Sequence, residues 1–172
     1  MHIYELNGKR PRIHKTARVL DGAVVAGDVV IGPDVLVSWH AVVYAEEAPL
    51  EIGRGACIGD GALVHARGNP IRVGDYAMIG HGAQVCDASV GNRAQVGINA
   101  VAIHGAFVAE ESMLAADSFL WKEAMNPRTL WAGRPAKEVD SHHEEGLEKR
   151  AHEKLAIFGT MQVVDLRSVQ YE

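Results

Sequence analysis

Aliphatic side chains recur every six positions along most of this chain, a period that few folds can satisfy. Ile13, Val19, Val25, Ile31, Val37 and Val43 follow one another without a slip. A three-residue insertion precedes Ile52, Ile58 and Val64, and a second precedes Val73, Ile79 and Val85. One residue is then dropped before Val90, Val96, Ala102, Val108, Leu114 and Leu120. Six matches neither the 3.6-residue period of a helix nor the two-residue period of a hairpin sheet, but it is the mark of a parallel β-helix. Each hexad supplies a short strand and a corner, so the eighteen hexads predict an all-β prism of six coils. The aliphatics face its interior. Glycines next to them (Gly32, Gly53, Gly59, Gly74, Gly80, Gly91, Gly97) are expected to permit tight corners, and Ala41, Ala56, Ala62, Ala77, Ala83, Ala94 and Ala100 to fill the crowded space near them.

Three segments follow from where the period runs. Residues 1–12 read as a capping strand with an exposed turn at Lys9-Arg10-Pro11-Arg12, residues 13–135 as the hexapeptide-repeat β-helix, and residues 136–172 as a C-terminal helix and tail. Trp121 to Pro127 leaves the repeat, and Leu130-Trp131 returns as an extended segment on the last coil. Ser141-His142-His143-Glu144 resembles a capping box, and Leu147, Ala151, Leu155 and Phe158 lie at helical spacing behind it. The insertions, residues 45–50 and 66–71, are expected to leave the prism as loops that carry functional groups. A formal charge of −5, with Lys and Arg scattered, gives no footprint for nucleic acid, and the apolar runs are too short for a membrane span. No basic-then-apolar leader opens the sequence, so a cytoplasmic location is expected. Cys57 and Cys86, the only cysteines, occupy different hexad positions and suggest no disulfide.

Chemistry-bearing residues concentrate between His65 and Cys86. Val64 and Val85 hold the same place in successive coils, so His65 and Cys86, each one residue later, should stack about 4.8 Å apart and could share one ion. His81 follows Ile79 by two residues and falls on a different face, out of reach within one chain. If three prisms pack side by side, His81 of one can meet His65 and Cys86 of its neighbour. The predicted assembly is therefore a homotrimer with one metal site at each subunit interface and a small-molecule substrate.

These residues carry a resemblance. Asp60-Gly61-Ala62-Leu63-Val64-His65, Ile79-Gly80-His81, Val96-Gly97-Ile98-Asn99-Ala100 and Ala132-Gly133-Arg134-Pro135-Ala136-Lys137 resemble the gamma-class carbonic anhydrases. The opening Met1-His2-Ile3-Tyr4-Glu5-Leu6-Asn7-Gly8 is similar to the branch with phenylacetate-degradation and carnitine-operon accessory proteins. The resemblance spans roughly residues 1–140 and implies a left-handed β-helix, assembled as a trimer, with zinc (or iron) held by three histidines between subunits. It also implies metal ligands at His65, His81 and position 86, an acidic proton carrier at Glu47, and an aspartate, Asp60, that orients a ligand or links subunits. Three departures stand out: Cys86 replaces the third histidine, Tyr44-Ala45-Glu46 stands where the family has Arg-x-Asp, and Gly59 replaces a glutamine.

Three protein ligands and an open fourth position make a catalytic zinc, which acidifies bound water for attack on CO2 or a carbonyl. A thiolate from Cys86 adds negative charge and weakens that Lewis acidity, so slow CO2 hydration is expected. Glu46 and Glu47 are candidates for acid–base work and Asn99 for the substrate pocket; His104, counted one coil above Cys86, reads as an edge residue. Two further enzyme readings are a hexapeptide acyltransferase and a metal-assisted acyl thioesterase. A third reading is a non-catalytic trimeric accessory protein. Bound metal separates the acyltransferase from the metalloenzyme, and activity excludes the accessory role.

Overall fold

A computed structural model describes residues 1–140, an all-β left-handed helix of stacked parallel coils. The expected C-terminal helix lies outside the described residues. The three faces carry the predicted register. The first stacks Ile13, Ile31, Ile52, Val73, Val90 and Val108. The second stacks Val19, Val37, Ile58, Ile79, Val96 and Leu114, then Trp131. The third stacks Val25, Val43, Val64, Val85, Ala102 and Leu120. All of these from Val25 to Leu120 are buried, as are the seven predicted interior alanines. Each buried Val, Leu or Ile contributes about 1.5–3 kcal/mol relative to an exposed one, which is why the period can dictate the stacking.

Both ends of the prism are covered by strands. His2–Tyr4 pairs in parallel with Val24–Ile31 and extends the third face. Leu130–Gly133 adds to the second face, and Ala136–Asp140 pairs antiparallel to it. Among the described residues no helix is long and apolar enough to cross a membrane.

Two local features differ from the sequence reading. The first insertion does not leave the prism as a loop: the backbone stays extended from Val42 to Ile52, joining the first and third faces. It runs beside Val24–Ile31, whose register shifts between Gly27 and Val29 to accommodate the extra length. Nor do the glycines next to the aliphatics supply corner conformations. They allow the coils to approach: a Cβ on Gly80 would lie 2.7 Å from the Gly97 carbonyl carbon. Left-handed corner conformations fall instead on residues such as Asp34, Tyr76, Asn99 and Asp117, whose φ values lie between 54° and 58°.

Gly27 combines both demands, with φ +82° and Ala45 O only 2.1 Å from where a Cβ would sit. Gly27→Ala is therefore expected to lower the melting temperature more than Gly61→Ala, where φ is +65° but no atom lies within 4 Å. A left-handed residue with a Cβ costs about 1–2 kcal/mol by itself, and Gly27→Ala adds the displacement of the first insertion. Thermal unfolding of both variants checks this, and equal losses would remove the contact as a cause.

At the corner between the first and second faces, Glu111 accepts hydrogen bonds from Arg128 Nε (2.6 Å) and Arg93 Nε (2.9 Å). The Arg128 bond first, then that of Arg93, holds its carboxyl below the ordinary value. A depressed carboxyl stabilises the fold above its unfolded pKa, and that stabilisation disappears as pH falls through the folded value. Glu111→Gln should therefore lower the melting temperature at neutral pH, with a gap that closes on acidification below the ordinary carboxylate range. A gap that stays constant across the titration would contradict this.

Candidate metal centre

Residues one place after the third-face aliphatics point outward and form a single row: Tyr4, Ala26, Tyr44, His65, Cys86, Ile103 and Trp121. His65 and Cys86 are thus neighbours across adjacent strands, as their spacing predicts. The Tyr44 ring stacks beneath His65, with centroids 3.9 Å apart and planes 15° from parallel. The His65 side chain is 13% exposed, so its ring is held between rungs of the ladder while one edge faces out. Burial, then the charges of Glu46 and Cys86, raises the Tyr44 pKa, with Arg67 opposing, so its hydroxyl stays a hydrogen-bond donor. Burial, then Asp87, raises the Cys86 thiol above its ordinary value.

Glu46 joins this group and Glu47 does not. Glu46 Oε2 lies 3.2 Å from His65 Nε2 and 4.0 Å from Arg67 Nε. Asn7 Nδ2 donates to the Glu46 carbonyl (2.8 Å), fastening the first insertion to the N-terminal segment. Glu47 contributes its N–H to the Arg67 carbonyl (3.1 Å), and its side chain is exposed. Asp87 organises the second insertion: its Oδ1 accepts from the N–H groups of Arg67 (2.7 Å), Gly68 (3.1 Å) and Asn69 (3.5 Å). Burial opposes its charge, yet these three donors, aided by His65, bring the Asp87 carboxyl below its ordinary value.

His81 lies at the corner after the second face, away from His65 in the same chain. Asp60 Oδ2 is 3.2 Å from its Nδ1, and the Asp60 N–H is 3.1 Å from the same nitrogen. The Asp60 N–H donates to Nδ1, so Asp60 holds the Nδ1 edge of the ring, and Nε2 is the nitrogen that would meet a ligand. The buried Ser38 hydroxyl donates to the other Asp60 oxygen. Asn99 packs on the same corner: its N–H donates to the His81 carbonyl (3.0 Å), and its Oδ1 overlies Gly82. Asp60 and Asn99 therefore belong with His81, not with His65. His104 is not over Cys86: Ile103 is, and the His104 N–H, donating to the Cys86 carbonyl (3.1 Å), aligns His104 with Asp87.

Tyr44 as a stacking base, Ser38 and Asp87 are the functional positions that the sequence reading missed. A signal existed for Ser38, which occupies the place that Gly59, Gly80 and Gly97 hold in later coils. Among the described residues no three His, Cys, Asp or Glu of one protomer converge on a common point. The donor chemistry nevertheless fits zinc or iron as a half-site: an imidazole and a thiol in register, a carboxylate beside them, and a second imidazole with a carboxylate on its far nitrogen.

Comparison with known proteins places the chain. The carnitine operon protein CaiE of Proteus sp. (strain LE138) is 33% identical over 141 residues, covering 81% of this chain and 72% of that protein. CaiE of Escherichia coli (strain K12) is 35% identical over the same coverage. The chain belongs to the CaiE family. CaiE-like proteins are the carnitine-operon branch of the gamma-carbonic-anhydrase-like hexapeptide proteins, the family that the sequence motifs resemble. A solved hexapeptide transferase family protein from Anaplasma phagocytophilum is 32% identical, with a TM-score of 0.87 over 92% of this chain and 98% of its own. The Bacillus cereus N-acyltransferase AntD, solved with dTDP and 3-hydroxybutyryl-CoA, has a TM-score of 0.70 at 13% identity, over 85% of this chain and 90% of that one, a likeness of fold alone. No family model matches the chain.

Proposed function

We propose that this CaiE-family protein is a trimeric metalloprotein whose site forms between protomers and activates water for attack on a small carbonyl or acyl compound. The observation that carries this reading is the pairing of half-sites: His65 and Cys86 stacked on the third face, and His81 oriented by Asp60 one corner away. His65 and Cys86 of one protomer and His81 of its neighbour would hold zinc or iron. The exterior of the third face favours such packing, because Val42, Leu63, Val101 and Phe119 lie with Gln84 in one outward row, and the exposed Trp121 ends the row of Tyr44, His65 and Cys86.

The bound ion would supply Lewis acidity, polarising the carbonyl and acidifying a water. This chain's residues do the rest. Tyr44 fixes the plane of His65, and Asp60, whose N–H donates to His81 Nδ1, fixes the plane of His81 with its Nε2 edge turned away from Asp60. Glu46, the acidic residue within hydrogen-bond reach of the His65 edge, accepts the proton lost by water. Ile103, in the rung above Cys86, gives an acyl group an apolar surface to lie against. Tyr44 donates a hydrogen bond but brings no permanent cation, which suits an acyl thioester or small amide better than bicarbonate.

The test is elemental analysis of protein purified without added metal, followed by a hydrolysis panel of acyl-coenzyme A esters and amides beside a CO2 hydration assay. Near-stoichiometric zinc or iron with hydrolysis is the expected result. Strong hydration without hydrolysis would return the protein to carbonic anhydrase chemistry, and bound metal with both assays silent would favour an accessory subunit.

A further inference from the structure

Side chains one place before each interior aliphatic point out of the prism, because a strand alternates between its two sides. The faces differ in what this outward row carries. On the first face Arg12, Glu51, Arg72 and Phe107 are exposed. On the second face the row runs Leu36, Cys57, Met78, Gln95, Met113 and Leu130, and none of these is exposed. Leu36 is 0% and Cys57 1% exposed, yet neither belongs to the apolar cluster that fills the prism. Gln95 Oε1, further along the row, is buried as well.

Outward residues buried this deeply need a cover. All strands among the described residues lie within the two sheets, so none crosses the outside of this face. The chain continues past Asp140 through residues 141–172, and Asp140 pairs with Leu130 at one end of the same row. From Leu130 to Leu36 the row descends through Met113, Gln95, Met78 and Cys57, about 24 Å at 4.8 Å for each rung. A helix over residues 141–158 would be about 27 Å long at 1.5 Å per residue. Leu147, Ala151, Leu155 and Phe158 fall on one side of such a helix, with Lys149 and Glu153 opposite, and Gly159 stands where it would stop.

We infer that residues 141–158 form a helix docked along the outside of the second face, running from Leu130 back to Leu36 with its apolar side on the outward row. The occupant is the chain's own continuation, and the inference does not depend on the metal reading. Docked there, the helix takes one of the two faces with apolar outward rows and leaves the third face to a second copy. It also flanks the corner after the second face, where the buried Ser38 hydroxyl donates to Asp60 beside His81.

Cys57 reports on this cover. In a Cys86→Ser background it is the only thiol of the full-length chain. Its reaction with a chromogenic aromatic disulfide follows the fraction of molecules in which the cover is lifted. Leu155→Asp should accelerate that reaction by at least about tenfold, by raising the population of that open state. Lys149→Asp, on the opposite side of the helix, should leave the rate unchanged. Leu155→Ala removes apolar area without adding a charge and should move the rate in the same direction by less. Far-UV circular dichroism checks that each variant keeps its strands. A rate in Leu155→Asp equal to that of the background would overturn the inference, and so would equal acceleration in Lys149→Asp. Cys57 that is protected in concentrated protein and reactive on dilution to monomers, with residues 141–172 unaltered, would give the cover to a second copy and overturn it too. Wild type that binds no metal while Leu155→Asp unmasks Cys57 would overturn the metal reading alone.

Discussion

His65→Ala and His81→Ala should each lose nearly all bound metal, although the two histidines lie on different parts of one prism. A site built within one chain would depend on the His65 row alone, and His81→Ala would leave it filled. A site shared between protomers fails equally without either half. Mixing the two variants sharpens the test. When trimers are denatured and reassembled from equal amounts of both, some interfaces place an intact His65 from one chain against an intact His81 from the other. Random assembly makes about a quarter of the interfaces complete, so metal content should recover to roughly that fraction of wild type. Absence of recovery, with trimers confirmed by ultracentrifugation, would place His81 outside the site. A stable monomer at every concentration would remove the shared site altogether.

Cys86→His should raise CO2 hydration. A thiolate donates charge to the ion and leaves its water less acidic, whereas a neutral imidazole restores the ligand type that the resembled family uses. Each pKa unit lost by that water increases its ionised fraction near neutral pH by about tenfold, so a gain of that order is expected. The thiol is also held above its ordinary value by burial and by Asp87, so metal binding must expel its proton. Cys86→His removes that cost, and its metal content should therefore depend less steeply on pH than that of wild type. A metal-loaded variant with no gain in hydration would locate the limit in Tyr44 and the Glu46 insertion instead, where the cation of the resembled family is absent.

Much of the molecule was legible in the sequence because a solenoid is nearly one-dimensional. Each coil touches only its neighbours, and the aliphatic period fixes which residue lies above which. The stacking of His65 on Cys86, the separation of His81 from both, and the return of Leu130-Trp131 to the last coil all follow from counting. His104 was placed over Cys86 by ignoring the residue that the repeat drops after Val85, which makes that coil one residue short. Val85 pairs with Ala102, so the rung above Cys86 is Ile103.

Only the tertiary structure decided what the side chains do at those positions. The period says nothing of rotamers, and the corners carry left-handed residues that no repeat specifies. The resemblance puts the proton carrier at Glu47, yet the extended backbone of the insertion sends the carboxylate of Glu46, its neighbour, to His65. Asp60 was expected to orient a ligand or link subunits, and the contact that gives it such a place is with His81, with the buried Ser38 hydroxyl behind it. Asp87 fixes the second insertion through backbone donors that any sequence would offer. The sequence set the ladder, because burying one aliphatic per hexad outweighs every local preference. The chemistry on its rungs was set by contacts across coils, roughly twenty residues apart in the chain, where hydrogen bonds select one arrangement among several that the core would tolerate equally.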